Sequence, residues 1–350
     1  MNKPKVMAAM SGGVDSSVAA YLLKKEGFEV AGLTMCLGIK REDSAACCGA
    51  EAINDAKKVC DRLDIPHYVL DFSQDLQTKV ITPFIEDYLS GKTPNPCVNC
   101  NKYLKFDILL KKAMALGFGF LATGHYAAIT QTPAGYFLKR SADKKKDQTY
   151  FLYAIKKEVL PYIKFPLADL TKPAVRVWAK EAGLPVAEKK ESQDICFVPD
   201  NDYARLIGNS RSIEPGDIVD LKGKILGRHK GIIYYTIGQR QGLGIGGGTP
   251  FYVTAIDVKN NQIVVGGKND LLSRGLIAVD TNMFLNTLPA KLSCKIRYAS
   301  KEVPCSVTVK GTMMEVIFHT PQEAVTPGQS VVLYDGDIVA GGGTIAQALE

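Results

Sequence analysis

The stretch "AAMSGGVDSSVAAYLL", residues 8–23, decides how the rest of the chain is read. Two glycines and three serines surround Asp15. They lie between an apolar run, "KVMAAM", and a helical pattern that puts Val14, Val18, Tyr21 and Leu22 on one face. Gly12 and Gly13 permit positive φ and close backbone approach. Ser11, Ser16 and Ser17 add hydroxyls, and the helix N-terminus adds free N–H groups and a positive dipole end. Together these form an anion cradle. A nucleotide-binding loop of the G-x-x-x-x-G-K-[ST] type needs a lysine that this stretch lacks. A lysine-free cradle suits a different chemistry, in which pyrophosphate is held as a leaving group while the α-phosphorus of ATP is attacked.

Outward from that stretch, short apolar strands ("EVAGLTM", "HYVLDF", "FGFLATGH") alternate with amphipathic helices near 50–63, 75–89 and 101–116. Such alternation predicts an α/β domain with a parallel sheet covered on both faces. After about residue 200 glycine becomes frequent and the helical period fades. "DIVDLKGKILG", "YVTAIDVKNNQIVVGG" and "VVLYDGDIVAGG" read as hairpins. Three domains are expected: 1–200, 205–270 and 275–350, the last an all-β barrel.

The composition is that of a globular chain: 350 residues, 46% hydrophobic and 23% charged. No apolar run reaches membrane-spanning length and no signal-peptide pattern opens the sequence, so a cytoplasmic chain without a membrane partner is expected. The net charge of +7 is uneven. Residues 101–150 carry 9 Lys/Arg against 3 Asp/Glu, and residues 201–300 carry 13 against 7. Basic blocks of this kind fit either a polyanionic partner or a solvated surface.

Nine cysteines in such a chain point to thiols, metal ligands or catalytic groups before structural disulfides. "GKTPNPCVNCNKYLKF", residues 91–106, places Cys97 and Cys100 in a Pro-rich loop just before a helix, where thiol pKa values fall. A third thiol, Cys196, lies in "ESQDICFVPD". Incidental thiols in turns are the plain alternative. Thiols beside an adenylating site point to oxygen-to-sulfur exchange: ATP turns a carbonyl oxygen into a leaving group and a sulfur nucleophile displaces AMP.

The cradle resembles that of the PP-loop ATP pyrophosphatases. With the cysteines included, the whole chain is similar to the tRNA-specific 2-thiouridylases. The blocks that carry the likeness are "SGGVDSS", "TPNPCVNCN", "ATGHYA", "KDQTYFL", "SQDICFV", "YTIGQRQGLGI" and "KIRYAS". The resemblance implies an adenine-nucleotide hydrolase-like PP-loop catalytic domain at 1–200. A small mixed α+β tRNA-binding domain would follow at 205–270 and a C-terminal β-barrel at 275–350. It implies 2-thiolation of the wobble uridine in tRNAs of the Lys, Glu and Gln types, with ATP and Mg²⁺. By resemblance, Ala9, Met10, Ser11, Gly12, Gly13, Val14, Asp15 and Ser16 hold the ATP phosphates, while Met35 and Gly124 touch the adenosine. Asn95, Pro96 and Cys97 surround the target base. His125, Lys146, Asp147, Gln148, Arg297, Tyr298 and Gln329 contact tRNA. Cys100 is a nucleophile or assisting thiol and Cys196 accepts persulfide sulfur, with a disulfide between them during turnover. One common form of the family has Asp where this chain has Cys97. Cys97, Cys100 and Cys196 therefore offer a second route, three thiolates holding a [4Fe–4S] cluster with one iron open for sulfide. Either route implies a sulfur-donor protein and the tRNA anticodon arm as partners; a monomer is expected.

Some motifs stand apart. Asp15 reads either as a Mg²⁺ ligand or as an early-helix acid at the dipole. "RSADKKKDQTYFL" reads as a phosphate-contacting loop, and "GQRQGLGIGGG" as a flexible one. His229, between Arg228 and Lys230, would join a basic surface. Cys60, Cys294 and Cys305 fit core positions. Three other functions compete: a small-molecule PP-loop synthetase, a non-catalytic RNA-binding protein and a different tRNA thiolase. The first needs no thiols, the second no intact cradle and the third lacks the C-terminal blocks.

Overall fold

The computed structural model describes residues 3–40, 47–190, 195–198, 203–208, 213–246 and 250–350. The chain divides into two compact units. One comprises Met1–Val80, Cys97–Phe197 and Asp337–Val339; the other comprises Ile81–Pro96, Val198–Gly336 and Ala340–Glu350.

The first unit is built on a five-stranded parallel sheet. Its order is His67–Asp71, β2 (Glu29–Cys36), β1 (Lys5–Ala9), Phe120–Ala122 and Ile163–Lys164. β1 is central, and its Val6, Met7 and Ala8 are almost wholly buried, as a strand covered on both faces requires. From β1 the chain first extends the sheet through β2 to His67–Asp71, then returns to add Phe120–Ala122 on the other side. The crevice between β1 and Phe120–Ala122 is therefore the topological switch point, where open α/β sheets bind ligands. Helix α1 (Val14–Lys25) packs Val14, Val18 and Leu23 into a core shared with α2 (Ala50–Leu63) and with Val175 and Ala179 of helix Lys172–Glu181. A hairpin, Ala128–Thr132 with Gly135–Lys139, also belongs to this unit.

The second unit holds a four-stranded sheet in the order Ile225–His229, Gly216–Asp220, Gln262–Gly266, Tyr252–Asp257. It also holds a six-stranded barrel. Leu272–Met283 pairs with both Met313–Glu323 and Ile338–Leu349, which closes the ring through Val303–Lys310, Leu292–Lys295 and Ser330–Asp335. Closure removes the exposed strand edges that a small open sheet would present. Leu276, Cys294, Cys305, Val316 and Leu333 fill the interior. Among the described residues no helix is long and apolar enough to cross a membrane.

The structure corrects three local expectations. Cys97 and Cys100 do not precede their helix: Pro96–Asn99 is already helical, and Pro96 starts it because its fixed φ and missing N–H suit a first turn. The helix expected at 75–89 begins at Ser73 and is broken by a π segment, Gln77–Ile81. His229 is buried, not part of a basic surface. Its Nδ1 accepts from Gly231 N–H, so Nε2 carries the proton and donates to the Asn261 carbonyl, 3.0 Å away.

Candidate active site

The cradle lies where β1 ends at the switch point. Gly12 has φ +70°, and a Cβ there would stand 2.4 Å from the Ala52 carbonyl oxygen, so only glycine lets α2 approach the loop. Gly13 caps α1 without any side-chain cap, which leaves the first N–H groups unspent for an anion. The serines brace one another. Ser16 Oγ accepts from Ser11 N–H at 3.2 Å and donates to the Gly13 carbonyl at 3.1 Å, where Ser17 Oγ also donates at 2.8 Å. Met10 is buried, and Met35 is half-buried near the C-terminal end of β2.

Asp15 has a partner that the sequence did not disclose. Lys172 Nζ donates to both its carboxylate oxygens, at 2.7 and 2.8 Å, and Tyr126 Oη donates to Oδ1 at 3.0 Å. Lys172 is only 8% exposed and begins helix Lys172–Glu181. The loop without a lysine therefore receives one from elsewhere in the fold. Asp15 could take a Mg²⁺ ion only by sharing or surrendering this cation.

Gly124 closes the cradle from the other side of the crevice. A Cβ on Gly124 would lie 2.6 Å from Ser16 N, so the segment after strand Phe120–Ala122 rests directly on the first turn of α1. The next residue, His125, turns to the thiol helix. Its Nδ1 and Thr123 Oγ1 are 2.7 Å apart, and Lys105 Nζ lies 3.5 Å from Nε2. Lys105 has only protons to give, so Nε2 accepts and Nδ1 donates to Thr123. Burial against Phe106 and Phe165, then the Lys105 charge, hold this ring well below the usual histidine range and keep it neutral.

The thiol helix runs from Pro96 to Ala115 and is wound as a π-helix over Cys100–Leu109. Cys100 is buried and Cys97 exposed. Cys196 is exposed on a turn anchored by buried Phe197. The fold brings the three thiols into one electrostatic neighbourhood. Surrounding protein and the charges of Cys100 and Cys97 push the Cys196 thiol up to about 12, against the pull of Lys105. Although its side chain reaches the surface, desolvation by the protein packed around Cys97 likewise raises its thiol, with Lys105 opposing and Cys100 adding to the rise. Yet among the described residues no three His, Cys, Asp or Glu side chains are gathered so that they could hold a metal ion.

Two residues expected to contact tRNA in the first unit are engaged within it. Gln148 Oε1 accepts from Tyr126 N–H at 2.9 Å, and Asp147 accepts from Ser141 N–H and from Thr149 Oγ1. These bonds shape the 141–149 loop that carries Lys144, Lys145 and Lys146. In the second unit, Arg297 donates to the carbonyls of Ile237 and Ala324 and to Thr326 Oγ1. Its backbone neighbour Tyr298 is exposed. Gln329 Nε2 donates to the Thr93 carbonyl at 2.8 Å, and Thr93 N–H donates to the Pro327 carbonyl. The barrel turn at 327–329 thus grips the segment that continues into Asn95 and Pro96. Sequence reasoning missed Lys172, Tyr126 and Lys105. A buried or bridging role leaves no motif, although "LTKPAV" does put Lys172 at a helix start.

Residues 4–200 match the family described as the tRNA methyl transferase HUP domain. Residues 205–267 match the tRNA methyl transferase PRC-barrel domain, and residues 273–345 the aminomethyltransferase beta-barrel domain. Among curated relatives, the tRNA-specific 2-thiouridylase MnmA 1 of Syntrophus aciditrophicus is 51% identical, over 99% of this chain and 94% of that protein. The tRNA-specific 2-thiouridylase MnmA of Acetivibrio thermocellus is 48% identical over 99% of this chain and 100% of its own. That from Clostridioides difficile is 49% identical over 100% and 99%. With about half its residues shared along its whole length, this chain belongs to the tRNA-specific 2-thiouridylase family.

Proposed function

We propose that this chain is an ATP-dependent tRNA-uridine 2-sulfurtransferase acting on the wobble uridine of tRNAs of the Lys, Glu and Gln types. One observation carries the reading: Gly124 and His125, adjacent in sequence, touch the cradle and the thiol helix respectively. The adenylating and sulfur-handling groups are thereby built into one unit, the arrangement that exchange at a single carbonyl requires.

In the first step the uracil O2 attacks the α-phosphorus of ATP and the bond to pyrophosphate breaks. The first-turn N–H groups of α1 and the Ser11 hydroxyl would receive the departing anion. Mg²⁺ would neutralise the phosphates, while Lys172 cancels the Asp15 charge that would otherwise repel them. In the second step the terminal sulfur of a Cys196 persulfide forms a bond to C2 while the C2–O2 bond breaks and the oxygen leaves with AMP. The Cys100 thiolate then attacks the Cys196 sulfur, which forms a disulfide and releases the 2-thiouridine. A dithiol reductant restores both thiols. A single-stranded anticodon base can leave its stack to reach such a site. The persulfide route uses the thiols of Cys100 and Cys196 and needs no iron.

The reading implies a cytoplasmic monomer that receives persulfide sulfur from a donor protein. Nucleoside mass analysis of tRNA from cells lacking the chain tests it. Loss of 2-thiouridine, with other thionucleosides retained, is expected; unchanged 2-thiouridine overturns it. Anaerobically purified protein should thiolate tRNA from a persulfide donor without bound iron, and a strict iron requirement would overturn the persulfide route.

A further inference from the structure

Lys105 belongs to no motif singled out in the sequence, yet it lies on the helix that bears Cys97 and Cys100. It lies in the π-wound segment Cys100–Leu109. In an α-helix, at 3.6 residues per turn, residues five apart sit about 140° round from each other. With i→i+5 bonding the same residues come nearly one above the other. The rare winding thus turns Lys105 toward the face that bears Cys100. π-segments of this kind recur at functional sites.

The ammonium is held in place. Its Nζ donates to Asn101 Oδ1 at 2.9 Å, and Asn101 is 2% exposed with its Nδ2 fixed on the Phe151 carbonyl at 3.0 Å. The buried amide can therefore present only its oxygen. On another side stands the neutral His125 ring. Among the described residues no carboxylate lies within ion-pair distance of Lys105. Its charge nonetheless reaches Cys97 and Cys196. Among the described residues, then, the groups that hold this cation are neutral, which suits it to receive an anion.

We propose that Lys105 is the positioning residue for the sulfur anion, holding the terminal sulfur of the Cys196 persulfide beside the thiol helix until it attacks C2. This rests on the persulfide reading above. The lysine proton does not move: the anion is consumed when the C2–S bond forms and AMP departs. Adenylation, which involves no sulfur, does not need it.

The test separates the two half-reactions in K105M, K105Q and K105R. Pyrophosphate release on tRNA without a sulfur donor reports adenylation. Single-turnover formation of 2-thiouridine, by enzyme preloaded with one persulfide sulfur from inorganic polysulfide, reports transfer. K105M and K105Q are expected to keep adenylation within about twofold and to lose about 100-fold or more in transfer, the scale of one fixed electrostatic group. K105R should recover most of that loss. Transfer at the wild-type rate in K105Q overturns the proposal. So does an equal loss of both half-reactions, which would assign the cation to the adenylate. Should K105M not fold, K105Q against K105R at matched melting temperature decides. The parent reading fails separately, if wild-type enzyme loaded with persulfide forms no 2-thiouridine.

Discussion

Lys172 Nζ stands 2.7 and 2.8 Å from the two carboxylate oxygens of Asp15, although 157 positions separate them in the chain. This pair ties the start of helix Lys172–Glu181 to the first turn of α1. It puts a cation next to the phosphate cradle without placing it in the loop. Replacing Lys172 with Met leaves Asp15 as an uncompensated anion beside the ATP phosphates. K172M is expected to lose about 100-fold or more in tRNA-dependent pyrophosphate release. It should also lose about 1–3 kcal/mol of stability, measured by denaturant unfolding. A variant with wild-type pyrophosphate release would show that the pair is only structural.

Gly124 allows a close approach that no other residue can share. The Cβ of G124A would meet Ser16 N at 2.6 Å and the Asp15 carbonyl carbon at 2.7 Å. The backbone there must shift and displace the α1 N-terminus from the crevice. ATP affinity, measured by calorimetry, is expected to drop at least about tenfold, the scale set by a 1.4 kcal/mol loss. The mutation should leave the barrel of the second unit folded by circular dichroism.

Cys196 and Cys100 have separable roles under the proposed chemistry. C196S should release pyrophosphate on tRNA and form no 2-thiouridine. C100S should accumulate a species joining enzyme and tRNA through sulfur, because the resolving thiol is missing. Mass spectrometry of non-reduced protein after one turnover should show the Cys100–Cys196 disulfide in the wild type and in neither variant.

Two buried groups contribute to the pH dependence of stability with opposite signs. Burial raises Cys60 from its ordinary value of 9.0 to about 12. Between those values the unfolded chain loses a proton that the folded chain keeps, so stability falls as pH rises from about 9 toward 12. His125 acts in the opposite direction. Its folded value lies well below 6.5, so stability falls as pH drops below that value and the unfolded ring takes up a proton. A melting-temperature profile should show a plateau between these limits. C60A should flatten its alkaline side and H125N its acid side.

Arg297 offers a test in the second unit. It bonds two carbonyls and Thr326, linking the barrel to the loop at Ile237. R297A leaves those acceptors unsatisfied and should cost about 1–3 kcal/mol of stability. Loss of tRNA affinity at unchanged melting temperature would instead make its guanidinium a direct RNA contact. For the wild type, the logarithm of tRNA affinity should fall linearly with the logarithm of salt, through phosphate contacts.

The cradle was legible because its constraints are local: small residues at a strand–helix junction and an uncapped helix start require only neighbours in sequence. Strand alternation and hairpin turns were legible for the same reason, since period and turn chemistry are short-range. The thiols could be named but not arranged. Pro96 begins its helix earlier than the proline-rich segment suggested, because a proline at the first helical position starts a helix instead of delaying it. The π winding that turns Lys105 toward Cys100 has no sequence period to announce it.

By itself the sequence determined an uncapped glycine- and serine-rich cradle, the positions of its thiols and the order of sheet and barrel. Each depends on residues close along the chain. Only the tertiary structure decided that Lys172 answers Asp15, that Gly124 and His125 join the cradle to the helix bearing Cys97 and Cys100, and that three cysteines share a neighbourhood. Those outcomes depend on which distant segments the parallel sheet and its switch point bring together, and no local propensity encodes that.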